Sequence, residues 1–314
     1  CSEEEMIKCI LTLNLVAAFV LPVFAADIPD RPEKLKFPEL KYEPPVGADY
    51  RVKLKNGTVA YLVPSTELPL VNLSISVRTG KYVAPKGKEG LAAAAGGLLA
   101  SAGTKNRTAE ELQERLAFLA ARLGSSVGET AGSVSMNLLS KDLDEGMGIL
   151  REVMTEPRFQ QDRLNLFQKK QLSAMKQRND DSRGLEGRNL LRLGYGEHFF
   201  RNRIPTKASI ESLTQDDLKE FHRDWFHPAN FIVAVSGDFE RADMVKRLNK
   251  LFAKWPFKGK KAPAIPTDKT FAKPGIYIVN KDVNQGRVSI ILPGITRDNP
   301  DYYAIQVMND ILGG

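Results

Sequence analysis

The chain has few side chains that could carry out chemistry. Its three histidines are His198, His222 and His227, and its two cysteines are Cys1 and Cys9. His222 and His227 are five residues apart at the end of a predicted helix, whereas two ligands on one helical face need a spacing of three or four. The sequence therefore predicts that these two histidines pack against their aromatic neighbours and bind no metal.

Other catalytic patterns are missing or have a structural explanation. The chain has no Walker loop for a nucleotide phosphate. Paired aspartates at 180–181 and 216–217 adjoin predicted helix ends or turns, where acidic residues act as caps. The glycines at 184–187 and 194–196 are too closely spaced and isolated to hold a phosphate, and they predict turns.

A run of very small residues occupies 91–100 and reads Leu-Ala-Ala-Ala-Ala-Gly-Gly-Leu-Leu-Ala. Alanine favours a helix, while each of the two glycines costs about 1 kcal/mol relative to alanine. The run therefore predicts a helix that depends on close packing by neighbouring elements.

The rest of the chain alternates short strands with amphipathic helices. Two β-rich runs that predict a hairpin-like pair lie at 51–63, with a turn at Asn56-Gly57, and at 70–78, and further strands are predicted at 133–139 and 231–235. Helices are predicted at 108–123, with a capping box of Thr108 and Glu111, and at 143–154, 161–179 and 215–225. The order strand, strand, helix then returns at 275–279, 287–292 and 299–312, which predicts a second copy of the same unit.

The first 25 residues predict an export signal. Met6 and Lys8 precede an apolar run at 10–23, and the small residues around Ala25 fit a cleavage site. We expect Met6 to be the start, with residues 1–5 upstream of it. The run is shorter than the roughly 20 residues of a spanning helix. Cleavage would remove both cysteines, which leaves no disulfide or thiolate metal site.

The formal net charge of +7 is spread along the chain. Aromatic residues are not interleaved with the basic ones, so the pattern does not predict a nucleic-acid platform. A solvated surface is the simplest interpretation. A mild preference for anionic surfaces or acidic peptides stays open.

Several short motifs resemble, in their order and approximate spacing, those of the pitrilysin-insulinase metallopeptidase family, which includes the mitochondrial processing peptidases. The matching motifs are Gly90-Leu91-Ala92, Leu98 with Leu99, Gly103-Thr104, Ile204-Pro205-Thr206, Pro228-Ala229-Asn230, Gly237-Asp238 and the segment from Asp298 to Gly314. The resemblance covers about residues 50–314. It implies an α+β fold in which helices pack on a mostly antiparallel sheet, with a duplicated domain.

The resemblance and the composition together predict the domain organisation. A signal region at 1–25 is followed by a proline-rich extended arm at 26–49, a first metallopeptidase-like domain at 50–257 and a linker at 258–273. The beginning of a second homologous domain follows at 274–314. We expect this second copy to be truncated, because the chain stops directly after a predicted amphipathic helix.

The residues that the family uses for zinc are not found at the matching positions. In the family, Gly-Leu-Ala is followed by an inverted His-x-x-Glu-His motif, whose histidines bind Zn²⁺ and whose glutamate takes a proton from the bound water. The resemblance places Ala93 and Gly97 at the histidine positions and Gly96 at the glutamate position. A register shifted by one residue, which uses Ala94, Gly97 and Leu98, supplies no ligand either.

The third zinc ligand of the family is a glutamate on a later helix, expected within 161–179. The matching stretch at 168–178 contains no carboxylate, and Asp162 at the helix start is acidic but distant from it. We therefore expect no catalytic residue, no bound metal and no cofactor, with zinc only in a catalytic partner.

The resemblance implies a pseudoenzyme: a non-catalytic subunit that pairs with an active zinc peptidase and contributes to peptide binding. The expected partners are that peptidase, an unfolded peptide, or both, with no nucleic acid and no membrane span after signal cleavage. The expected location is periplasmic or extracellular. The alternative is a structural or assembly protein of the same fold with no role in proteolysis. An arginine and a tyrosine that would distinguish the two fall beyond Gly314 in the family's order.

Overall fold

The computed structural model describes residues 43–313 and, before them, the single residues 31, 35 and 41. The predicted signal region at 1–25, with Cys1 and Cys9, lies outside the described residues, as does most of the predicted arm at 26–49. In the described part of the chain, no helix combines the length and the apolar character needed to cross a membrane.

A six-stranded sheet is the central element of residues 43–313. Its strands are β1 (Arg51–Lys53), β2 (Val59–Pro64), β3 (Leu70–Val77), β4 (Arg122–Val127), β5 (Gly132–Leu139) and β6 (Phe231–Gly237). They lie in the order β1-β2-β6-β3-β5-β4. Strands β2 and β6 run parallel, and the other neighbouring pairs run antiparallel. The expected α+β fold with a mostly antiparallel sheet is confirmed.

Helices pack against the sheet. Within residues 43–313 they are α1 (Gly47–Tyr50), α2 (Leu91–Leu99), α3 (Ala109–Phe118), α4 (Leu143–Thr155), α5 (Gln161–Gln177), α6 (Ser182–Tyr195), α7 (Lys207–Glu211), α8 (Gln215–Trp225), α9 (Arg241–Phe252) and α10 (Tyr302–Gly313). Helices α2, α4 and α9 contact β4, β5 and β2, respectively. The predicted capping box is present at α3, where Glu111 N donates to Thr108 Oγ1 and Thr108 N donates to Glu111 Oε2.

The predicted pairing of the first two β-rich runs is wrong. β1 and β2 form a hairpin around the turn at Asn56-Gly57, but β6 lies between β2 and β3. The connection from β2 to β3 crosses the end of β6 so closely that a Cβ on Gly237 would lie 1.9 Å from Leu70 O. Gly237 also has φ of 118°, a conformation that favours glycine. The intervening strand comes from much later in the chain, and local patterns do not reveal such pairings.

The predicted helix at 108–123 is too long. Helix α3 ends at Phe118, and Ala120 adopts a left-handed φ of 48° that turns the chain. The following residues form β4 against β5. This strand was not predicted because its sequence, Arg-Leu-Gly-Ser-Ser-Val, has little apolar alternation, and its conformation depends on the ladder with β5.

The turns predicted from isolated glycines are also wrong. Gly184, Gly187 and Gly194 lie inside α6, a helix that the sequence did not reveal. Asp181 caps the start of α6 by accepting a hydrogen bond from Gly184 N at 2.8 Å. Gly196 ends the helix with φ of 86°. The capping carboxylate offsets part of the helix cost of the glycines.

The two strands predicted at 275–279 and 287–292 are not formed. Neither segment has a ladder partner among the described residues, and Ile276 is 92% exposed and Val288 94% exposed. A β-strand needs a neighbour for its backbone hydrogen bonds, and residues 43–313 supply none here. The helix predicted after them is confirmed as α10.

One side of the sheet is exposed and carries small, mostly polar side chains. We call this surface the open face; its exposed members on the central strands are Asn72, Ser74, Ser76, Ser135, Ala234 and Ser236. The opposite side is apolar and buried, as the alternation along β3 shows with Leu73 and Ile75. The period-2 pattern of the strands thus separates a core side from an open face.

Candidate functional site

Helix α2 presents a narrow exposed strip at the positions matched to the zinc ligands. Ala93 and Gly97 are exposed and four residues apart, so they lie on one helical face. The other seven residues of α2 are buried. The shifted register would use Ala94, which is fully buried, and Leu98, which is 8% exposed. The first register is therefore the one whose side chains reach solvent.

Gly96 is the point where α2 approaches β4 most closely. A Cβ on Gly96 would lie 2.2 Å from Val127 N and 2.6 Å from the carbonyl carbon of Ser126. Beside it, Ser125 Oγ donates to Gly96 O at 2.6 Å and accepts from Ala100 N at 3.0 Å. The position matched to the catalytic glutamate therefore faces strand backbone and has no room for a side chain.

Strand β4 forms the edge of the sheet beside α2. Gly128 N donates to Ala131 O at 2.8 Å just beyond the β4–β5 ladder. Opposite residues in an antiparallel ladder alternate between hydrogen-bonded and non-hydrogen-bonded pairs. The backbone N–H and C=O groups of Leu123, Ser125 and Val127 therefore point away from β5. Among the described residues, none accepts from or donates to the outward backbone groups of Leu123. This end of β4 has an open edge.

Helix α5, to which the resemblance assigns the third zinc ligand, uses a polar side chain for packing. Gln168 Nε2 donates to Ile210 O at 3.0 Å and to Leu213 O at 3.1 Å, which holds the connection between α7 and α8. Asp162 lies exposed at the start of α5, 3.6 Å from Arg163. In the part of the chain that the structure describes, no three His, Cys, Asp or Glu side chains are grouped as metal ligands.

The histidines at the end of α8 are packed as predicted. His222 Nε2 donates to Met154 O at 3.0 Å, and its ring stacks on Phe226 with 5.3 Å between centroids. Burial lowers the pKa of His222 to about 4, although the hydrogen bond to Met154 O acts in the other direction. His227 Nε2 lies 2.9 Å from Lys260 O. These contacts stabilise the packing of helix ends.

The paired aspartates have the predicted capping role. Asp217 completes a capping box with Thr214 and forms an ion pair with Lys88 at 2.8 Å. Burial acts to raise the pKa of Asp217, but the hydrogen bonds from Lys88 and Thr214 outweigh it and hold the pKa below its usual value. For Asp181, hydrogen bonds from backbone N–H groups lower the pKa of the carboxyl. In both cases the hydrogen bonds that lower the pKa also stabilise the start of a helix.

Comparisons with known proteins agree with this picture. A family profile described as "Peptidase M16 inactive domain" matches residues 212–314. The chain is 27% identical over 254 residues to the non-peptidase homolog YmxG of Helicobacter pylori, which covers 79% of this chain and 57% of that protein. It is 23% identical over 214 residues to an uncharacterized zinc protease of Mycobacterium leprae, with 67% and 48% covered.

The fold is also found in a solved structure, the peptidase M16 inactive domain from Pseudomonas fluorescens. The TM-score is 0.62 at 21% identity, and the match covers 68% of this chain and 52% of that one. The chain is similar to members of the peptidase M16 family. This confirms the resemblance drawn from the sequence motifs. Residues 212–314 match the profile of that family's inactive domain, and the chain spans about half the length of the curated relatives it matches.

Sequence reasoning did not reveal the residues that position this site. The contact of Gly96 with Val127 had one signal, the paired glycines inside an alanine-rich helix. No sequence signal indicated the capping role of Ser125 or the contacts of Gln168 with carbonyl oxygens, because both depend on elements distant in the chain.

Restoring the family's motif should not restore the metal site. In the variant Ala93→His, Gly96→Glu, Gly97→His, we expect no stoichiometric zinc after dialysis, because residues 168–178 supply no third carboxylate and the new glutamate collides with β4. Elemental analysis measures this. The matched variant Ala93→His, Gly97→His avoids the collision and should bind zinc only weakly through two ligands. Stoichiometric zinc in either variant would contradict the assignment of the third position.

Proposed function

We propose that this chain is a non-catalytic subunit that pairs with an active zinc peptidase of its family and contributes to peptide binding. Three neighbouring features support the proposal: the strip at Ala93 and Gly97 has no ligand, Gly96 has no room for a catalytic side chain, and the adjoining edge of β4 is open. Such a scaffold can bind an extended chain but has no group to hydrolyse it.

The proposed binding mode is the addition of a peptide strand to β4. The outward N–H and C=O of Leu123 can pair with an extended peptide, and these main-chain hydrogen bonds depend little on the peptide's sequence. The neighbouring residue Gly124 has no side chain that would obstruct the peptide. An unfolded peptide of varied sequence is therefore the ligand class that suits this edge.

The open face supports the proposal of a paired subunit. Its small serine and asparagine side chains, such as Ser74 and Asn72, leave a flat polar surface on which a second subunit and a peptide can lie. The large apolar side chains that permanent interfaces favour are not found among the exposed residues of its central strands. In this proposal the catalytic zinc belongs to the partner alone.

The proposed domain organisation places these features in the first domain at 50–257, followed by a linker at 258–273 and the start of a second domain at 274–314. Export to the periplasm or the cell exterior is proposed from the apolar run at 10–23 and the cleavage pattern that ends at Ala25. Exported unfolded peptides would then be the substrates of the pair.

Replacing Leu123 with proline should block peptide addition while the sheet stays intact. The Leu123 N–H points away from β5, so proline removes no ladder hydrogen bond, and such edge positions tolerate proline. It does remove the donor that an added strand would use. Binding of a fluorescein-labelled unfolded casein peptide, measured by anisotropy, should weaken about tenfold.

The matched control is Leu123→Ala, which also removes the side chain but keeps the N–H. It should bind the casein peptide within about twofold of the unchanged protein. Equal binding by Leu123→Pro and Leu123→Ala would contradict peptide addition at β4. Failure of the unchanged protein to bind any unfolded peptide or any active relative would favour the structural or assembly role instead.

A further inference from the structure

A pocket at the β1 end of the open face is lined by two arginines. Its volume is about 440 Å³, and Arg51 and Arg78 both line it. Arg51 lies on β1 directly opposite Tyr61 on β2. Arg78 follows the end of β3, and its backbone N donates to Asn230 O at 2.9 Å. The two basic side chains thus come from strands on opposite sides of the pocket.

The floor and wall of the pocket are held by the sheet. Val59 and Ile232 are neighbours across the β2–β6 ladder and form an apolar floor with Tyr61. The turn that forms the wall is fixed because Thr58 Oγ1 donates to Pro228 O at 3.1 Å. The pocket therefore exists before any ligand binds, which lowers the cost of binding.

The charges of the pocket have one sign. None of its lining residues carries a carboxylate. Among the described residues, no carboxylate oxygen lies within 4 Å of either Arg51 or Arg78, and both side chains are exposed. Each planar guanidinium can donate two parallel hydrogen bonds to a carboxylate. The pocket is suited to an anionic ligand that also has an apolar part.

The spacing of the arginines limits the ligand further. Strands β1 and β3 are separated by β2 and β6, so the backbones of Arg51 and Arg78 are at least about 14 Å apart. One small anion would meet both guanidinium groups only if both long side chains extended toward it across this floor. Two carboxylates in an extended peptide, four residues apart on one face, have about the same separation of 14 Å. The residue midway between them would face Val59 and Ile232.

We propose that this pocket binds an acidic peptide segment in which two carboxylates flank an apolar side chain. The ligand is recognised by this chain alone, so the proposal does not depend on a paired subunit or on the edge of β4. The spread of positive charge along the sequence gives no sign of the site, because the two arginines come together only through the strand order β1-β2-β6-β3.

The test uses the full chain and a labelled peptide with the central sequence Glu-Gly-Leu-Gly-Glu, and compares it with Gln-Gly-Leu-Gly-Gln. The glutamate peptide should bind at least about tenfold more tightly than the glutamine peptide. Arg51→Ala and Arg78→Ala should each weaken binding of the glutamate peptide about fivefold, and Lys169→Ala, an exposed cation on α5, should not change it.

Three outcomes would overturn the proposal. These are equal binding of the two peptides, unchanged binding in both arginine variants, and an equal loss in the Lys169→Ala control. Inorganic phosphate provides a further test. If millimolar phosphate displaces the glutamate peptide completely at constant ionic strength, the pocket is a phosphate site and the peptide assignment is wrong. Both arginines are exposed, so circular dichroism should show an unchanged fold in each variant.

Discussion

Replacing Gly96 with alanine is expected to lower the free energy of unfolding by about 3 kcal/mol, whereas the same change at Gly97 should raise it by about 1 kcal/mol. At Gly96 the new methyl group would lie 2.2 Å from Val127 N, and strand backbone cannot retreat without disturbing the β4–β5 ladder. At Gly97 an added Cβ would meet no atom within 4 Å beyond the adjoining backbone of its own helix, so alanine only improves the helix propensity of α2.

The pair is a matched experiment, because the two glycines are adjacent, lie in one helix and receive the same substitution. Urea denaturation of both variants and the unchanged protein is measured in the same buffer. A fit with one shared dependence of the free energy of unfolding on urea concentration gives the change in that free energy for each variant. Shifts of the same sign and size would contradict the close contact between α2 and β4. The expected opposite signs would show that the position matched to the catalytic glutamate is a packing position.

The second large effect is a loss of stability in weak acid due to His222. Burial lowers the pKa of this histidine to about 4, against 6.5 for the exposed side chain. Between these values the unfolded chain binds a proton that the folded chain does not, so the free energy of unfolding falls as the pH falls from 6.5 to 4. The full difference corresponds to about 3 kcal/mol.

Denaturation curves at several pH values between 4.5 and 7 measure the slope of the free energy of unfolding against pH. In His222→Gln, which keeps an N–H donor for Met154 O, the slope above pH 5 should be much flatter. His198 is exposed, so His198→Gln is the control and should keep the slope of the unchanged protein. An unchanged slope in His222→Gln would contradict the buried, neutral state of His222.

The sequence predicted the elements whose signals are local. Helix α8 was predicted with its exact limits, 215–225, because Thr214 caps its start and its apolar face is regular. The small-residue helix α2 and the cap of α3 were also predicted correctly. In each case the information lies within one or two helical turns.

The failures depend on contacts that are distant along the chain. The insertion of β6 between β2 and β3 depends on a strand near residue 231, and β4 depends on its ladder with β5. The segments 275–279 and 287–292 have strand-like composition but no neighbouring strand among the described residues. Composition identifies residues that could form a strand, but pairing requires a partner.

The candidate site was predicted by its missing residues rather than by its geometry. The resemblance located Ala93, Gly96 and Gly97, and the structure adds that two of these positions are exposed while Gly96 packs against backbone. The open edge at Leu123 and the pocket of Arg51 and Arg78 could not be foreseen, because both depend on strand order.

The most direct test of the proposed role is peptide hydrolysis together with metal content, measured for the protein alone and mixed with an active M16 peptidase. We predict no zinc after dialysis, no hydrolysis of unfolded casein by the protein alone, and a rate in the mixture above that of the active peptidase by itself. Stoichiometric zinc with hydrolysis by the protein alone would contradict the non-catalytic assignment, and a mixture no faster than the active peptidase would contradict the pairing.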